Sequence, residues 1–172
     1  MSAAGAIIMS GFAAVWWLVA FIATGQATVA TYAIPVVITS MIVAVALRAG
    51  AAAPPVPAAE RARRGRLVGI ASAVEGVAIL IAVNVLANVG GRDFTAPVIA
   101  MIVGLHFVPL ARALPARLYY LTAAFLVGLG VAGCFVTELQ ARVLGVGVGA
   151  ACVLWLTSAA VLRPPTAGRA SP

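Results

Sequence analysis

Six long apolar stretches leave this chain few ways to fold. They occupy residues 4–24, 29–47, 67–89, 97–114, 118–137 and 143–162, and each is 18–23 residues long. An α-helix needs ~20 residues to cross a hydrocarbon core of ~30 Å. No water is available there to satisfy backbone N–H and C=O groups, so a helix that bonds internally is the economical way across. The sequence therefore predicts an all-α, polytopic membrane protein. Six transmembrane helices form three antiparallel hairpins, and residues 1–163 make one transmembrane domain.

Composition removes the competing classes. Hydrophobic residues make up 64% of the chain and charged ones 9%, against roughly 25% charged in soluble domains. A net charge of +7 would point to nucleic acid in a soluble protein. Here the arginines lie between and beyond the apolar stretches, and no basic groove with interleaved aromatics is visible. The expected partner is the lipid bilayer, with no nucleic acid. Lysine is absent, and arginine accompanied by abundant alanine, valine and glycine suggests a GC-rich bacterial genome. The expected location is the inner (plasma) membrane of a bacterial cell.

The arginines also orient the chain. Arg48, Arg61, Arg63, Arg64, Arg66, Arg112, Arg117, Arg163 and Arg169 fall on one side if the helices alternate, leaving Arg92 and Arg142 on the other. Cytoplasmic loops carry the excess of positive charge, so both termini are expected in the cytoplasm. The first stretch has no preceding positive charge and runs longer than a signal-peptide core, which makes it a retained helix. Trp16 and Trp17 lie well inside it, as packing residues and not as a headgroup belt.

Residues 49–66 form a Pro/Arg-rich cytoplasmic loop. Its prolines, Pro54, Pro55 and Pro57, favour an extended spacer, and its basic run from Arg61 to Arg66 serves as a stop-transfer cluster, with lipid-headgroup binding as the alternative. The spacer separates a two-helix hairpin from a four-helix half without dividing the chain into two domains. The tail, residues 164–172, is expected to be disordered. Pro35 and Pro97 each sit near the start of an apolar stretch, where a missing N–H costs nothing. Helix-start chemistry accounts for this echo without a duplication.

Polar side chains at membrane depth are expensive and mark functional hypotheses. Glu75 lies in the third stretch, and His106, the sole histidine, lies in the fourth. Folding the two about Gly90-Gly91-Arg92 brings Glu75 level with a position near 108, within about one helical turn of His106. A carboxylate and an imidazole at matched depth can share a proton, each making the other's burial less costly. The pair is either a structural clamp or a proton-binding site. Two candidate ligands fall short of the three plus water expected of catalytic zinc, and one histidine cannot give bis-histidine haem. No metal or cofactor is expected.

Asn84 and Asn88 share a helix face, opposite Glu75 at ~100° per residue. They are either further solute contacts or interhelical hydrogen bonders, and polar groups on two faces suggest a central third helix. Pro109 removes a hydrogen bond to the Leu105 carbonyl and predicts a kink beside His106, of the kind transporters use. Gly104 offers close approach of a neighbouring helix. Gly145-x-x-x-Gly149 is a small-residue packing spacing, serving either contact within one subunit or a homo-oligomer seam. Cys134 and Cys152 read as apolar packing. No Walker loop, nucleophile elbow or dinucleotide fingerprint is present.

The segments Glu75-Gly76-Val77-Ala78-Ile79 and Gly104-Leu105-His106-Phe107-Val108-Pro109-Leu110, with Asn84 and Tyr119-Tyr120, resemble a family of small bacterial multi-pass membrane proteins without an assigned activity. The resemblance covers under half the chain. It implies the same membrane class, draws attention to Glu75 and His106, and supplies no substrate. Three function classes stay open: proton-linked movement of a small solute, a structural or regulatory role through helix association, and an intramembrane enzyme acting on lipid. No nucleophile–base pair supports the enzyme.

Overall fold

The computed structural model describes residues 3–52, 57–114 and 117–162. Within them the chain is all-helical: α1 (Ala3–Ala23), α2 (Val29–Ala51), α3 (Ala58–Asn88), α4 (Thr95–Ala113), α5 (Arg117–Phe135) and α6 (Leu139–Val161). A short 3-10 turn, Arg92–Phe94, leads into α4. All six helices are long and apolar enough to cross a membrane. The expected tail, residues 164–172, lies outside the described residues, as does part of the Pro-rich spacer.

Local chemistry sets the helix ends. Gly25 and Gly90 adopt φ of 69° and 75°, the left-handed conformation that glycine enters without a Cβ clash. After each, the chain bonds back to the preceding helix, Gln26 N–H to the Phe21 carbonyl at 2.9 Å and Gly91 N–H to the Leu86 carbonyl at 2.8 Å. These are Schellman closures that satisfy carbonyls otherwise left without partners. Thr28 and Thr31 form a reciprocal capping box at the start of α2, and the Glu138 side chain accepts the Gln140 and Ala141 N–H groups at the start of α6, each satisfying free amide donors.

The basic run is not a loop. Helix α3 starts at Ala58, so Arg61 to Arg66 are helical. Pro57 precedes the first turn, and Glu60 in that turn complements the helix dipole. It also pairs with Arg63 at 2.9 Å and Arg64 at 2.7 Å, the i,i+3 and i,i+4 spacings that support a helix. Pro35 likewise departs from expectation: α2 begins at Val29, placing this proline inside the helix and not in its first turn.

The core lies among α1, α4, α5 and α6, where the most extensive pairings are α4 with α5 and α1 with α6. Alanines and glycines let these backbones close up, as lipid-embedded packing favours. A Cβ built on Gly104 would stand 2.8 Å from Val127 Cγ2, and one on Gly130 would stand 2.5 Å from Met101 Cγ. Polar side chains inside the core satisfy their own helices first. The Ser158 hydroxyl donates to the Leu154 carbonyl at 2.8 Å, while the Thr122 and Thr157 hydroxyls meet across α5 and α6 at 2.8 Å. Trp17 donates to the Thr31 carbonyl at 3.0 Å and packs 5.8 Å from Trp155. Trp155 in turn donates to the Thr39 hydroxyl at 3.2 Å, tying α6 to α2.

Helix α3 stands apart. None of its residues is buried, and it packs chiefly against α4. It is an edge helix, not the surrounded central one that its two polar faces suggested. One of those faces turns outward, and its asparagines bond to their own backbone.

Candidate functional site in the α3 and α4 groove

The line of contact between α3 and α4 leaves an open groove of about 510 Å³. Its walls are Leu67, Ile70, Ala71, Val74 and Ala78 from α3, with Ile102, Leu105, Pro109, Leu110 and Ala113 from α4. Two polar side chains interrupt them, Glu75 and His106. The Schellman turn at Gly90 fixes the relative register of the two helices, and that register brings Glu75 and His106 to one level. Glu75 Oε2 lies 3.6 Å from His106 Nδ1, with side chains 18% and 10% exposed respectively.

The detail of that contact decides its character. His106 Nδ1 lies 3.2 Å from the Ala71 carbonyl oxygen. A carbonyl only accepts, so this bond puts a proton on Nδ1. The distance to Glu75 is outside hydrogen-bond range. Among the described residues no donor hydrogen-bonds the Glu75 carboxylate. The pair is therefore a close polar contact beside an apolar groove, and an ion pair only when His106 is protonated. His106 is held by Ala71 from behind and by an edge contact to Phe107, with ring centroids 5.8 Å apart. Phe107 is buried and packs 5.5 Å from Tyr119, so the histidine is anchored through α4 to the core.

The other expected site residues divide. Pro109 lines the groove one turn from His106, yet α4 is assigned as helix without interruption from Thr95 to Ala113. Gly104 faces α5, where its missing Cβ permits contact with Val127 and the Ala123 carbonyl. Asn84 and Asn88 do not join the site. Both are exposed, and their amides donate to Leu80 and Asn84 carbonyls of their own helix at 2.8 and 2.9 Å. They are neither groove contacts nor interhelical bonds. A Cβ on Gly145 would meet open space, whereas one on Gly149 would lie 2.8 Å from Leu129. The close backbone approach belongs to Gly147, which faces Ala20 and the Trp16 carbonyl of α1. The Gly145-x-x-x-Gly149 pair is not a seam within this bundle.

Arg142 is the residue whose role the sequence reading missed. It is 6% exposed, and its guanidinium donates to the Val136 carbonyl at 2.6 and 2.9 Å and to the Asp93 carbonyl at 3.1 Å. It also lies 4.4 Å over the Phe94 ring. One side chain thus clasps the α5–α6 connection to the turn before α4. The available signal was its position: an arginine on the side otherwise poor in positive charge needs a local reason to be there.

Among the described residues no group of three His, Cys, Asp or Glu comes together. Cys134 and Cys152 are free thiols, Cys152 exposed on the bundle's outer surface. The groove can hold one proton or one ligand charge on Glu75, with His106 beside it as an acid–base neighbour and an apolar wall for the rest of a ligand. Compared with family models, with curated proteins and with solved structures, the chain matches none.

Proposed function

We propose that this chain is a multi-pass protein of the bacterial inner membrane that couples movement of a small solute to a proton, with Glu75 as the coupling carboxylate and His106 as its partner. The observation that carries the reading is a carboxylate within an apolar helix long enough to cross a membrane, 3.6 Å from an imidazole and with no hydrogen-bond donor among the described residues, in a groove of about 510 Å³. An intramembrane carboxylate is costly, which makes it a functional hypothesis by default, and volumes of roughly 300–1,000 Å³ suit small molecules. The α3 helix, with no buried residue, is the element whose displacement disturbs the core least.

The same proposal includes the orientation. The helices pair as three antiparallel hairpins with both termini in the cytoplasm, an orientation that the arginine asymmetry supports. Reporter fusions at Pro57 and after Pro172 should then read cytoplasmic, and one at Gly91 external. An external reading at Pro57 would reverse the orientation.

Purified protein in liposomes carrying an internal pH dye tests the activity. The expected result is proton flux on addition of the right solute, lost in Glu75→Gln with folding intact. Full flux in Glu75→Gln would remove the carboxylate from the mechanism. A second reading, association of α3 with another copy or a partner helix, draws on the exposed apolar face of α3. It takes over if a broad solute panel moves nothing through the wild type.

A further inference from the structure

The groove's chemistry also narrows the solute, an inference that rests on the coupling role just proposed. We infer that the α3 and α4 groove takes a lipophilic monovalent cation, an amine or onium ion with apolar substituents, whose charge lies against the Glu75 carboxylate. Its walls are aliphatic except at Glu75 and His106. A sugar, an amino acid or a hydrated ion would leave most of its polar groups facing Leu, Ile, Val and Ala with nothing to bond. An apolar body carrying one positive charge leaves nothing unpaired.

Charge points the same way. The groove lining includes one carboxylate and no arginine. The His106 Nδ1 proton is directed to the Ala71 carbonyl at 3.2 Å, so the bond that orients the ring does not use up the carboxylate. A free fatty acid or other anionic amphiphile would bring its own negative charge to Glu75, and like charges at close range oppose each other.

Access agrees as well. Ile70, Val74 and Leu105 at the rim are 53%, 64% and 60% exposed. They lie on the outer surface of the bundle, so the groove opens sideways. In a chain that spans the membrane, that opening faces hydrocarbon, where a lipophilic cation concentrates. The exchange balances in charge: a protonated Glu75 releases its proton to the aqueous phase and the carboxylate receives the cation. One positive charge leaves as one arrives, which avoids burying an uncompensated charge.

The test is equilibrium binding of radiolabelled tetraphenylphosphonium to the full-length protein in detergent, without any gradient. Saturable binding that releases about one proton per cation into weak buffer is expected, with affinity falling as the pH is lowered. Glu75→Gln should lose at least tenfold in affinity, and Asn84→Ala, outside the groove, should lose none. A hydrophobic carbodiimide followed by mass spectrometry gives a readout that needs no variant: Glu75 should be labelled, and tetraphenylphosphonium should protect it. Equal affinity in folded Glu75→Gln, absence of both saturable binding and protection in the wild type, or protection by a fatty-acid anion in place of the cation would each overturn the assignment. The two proposals fail separately. Cation binding without flux in liposomes removes transport and keeps the ligand class, whereas flux driven by another solute with no cation binding removes the ligand class and keeps transport.

Discussion

Helices α6 and α3 are both long and apolar, and they are held in opposite ways. Nine residues of α6 are buried, among them Val146, Ala150, Leu154 and Ser158, while α3 buries none. Helix α6 contacts α1, α2, α4 and α5; α3 contacts chiefly α4. The packed half contains small residues, self-satisfied hydroxyls and the Arg142 clasp. The loosely held half contributes Glu75. Elements with few buried contacts open at lower free-energy cost than the core, and the groove proposed as the site lies where the loosely held α3 meets the core helix α4. The cost of substitution should therefore track the half in which it falls, not how polar the replaced residue is.

The largest effect should come from the α4–α5 seam. In Gly130→Leu a side chain must enter where even a Cβ would sit 2.6 Å from the Pro97 carbonyl oxygen. Overpacking of this kind costs about 3 kcal/mol or more, read as loss of the folded fraction in a detergent unfolding titration. Arg142→Gln comes next. Removing charge-assisted bonds to the Val136 and Asp93 carbonyls should cost about 1.5–3 kcal/mol in the same titration. A cost near zero would mean that the connections at that end are held by something else.

Thr157→Val breaks the hydroxyl pair with Thr122 and should cost about 1 kcal/mol, the scale of interhelical hydrogen bonds in membrane proteins. At the small end stand Gly76→Ala on α3 and Gly145→Ala on α6. Neither new Cβ meets an atom within 4 Å, and alanine is favoured over glycine in a helix by up to about 1 kcal/mol. Both variants should be as stable as the wild type or slightly more so. A clear loss in Gly145→Ala, accompanied by a shift in oligomer size, would reinstate the Gly145-x-x-x-Gly149 spacing as a seam between copies.

The division between halves was only partly legible in the sequence. Six apolar lengths give six helices because a hydrocarbon core sets one length scale for all of them. The depth match of Glu75 and His106 was legible too, since Gly90-Gly91 marks the turn and helical rise is constant. What stayed hidden depends on telling a lipid-facing side chain from a buried one. Both are apolar in a membrane helix, so nothing in α3 distinguished an edge helix from a central one. The choice among Gly145, Gly147 and Gly149 was hidden for the same reason: the close contact falls on Gly147, and adjacent small residues look alike in sequence. Arg142 escaped because its partners are backbone carbonyls, which every residue carries. The helical start of α3 was masked by the prolines before it, although Glu60 with Arg63 and Arg64 had the spacing of a first turn.

The central claim is that Glu75 and His106, facing each other where the loosely held α3 meets α4, are a working pair and not a clamp. A double-mutant cycle with Glu75→Gln and His106→Gln tests it, reading unfolding free energy and solute-driven proton flux on the same preparations. At 3.6 Å without a hydrogen bond, the coupling in stability should not exceed about 0.6 kcal/mol, the average for polar contacts between membrane helices, and each single variant should abolish flux. A coupling well above about 1 kcal/mol with flux retained in both single variants would make the pair a structural clamp and contradict the account.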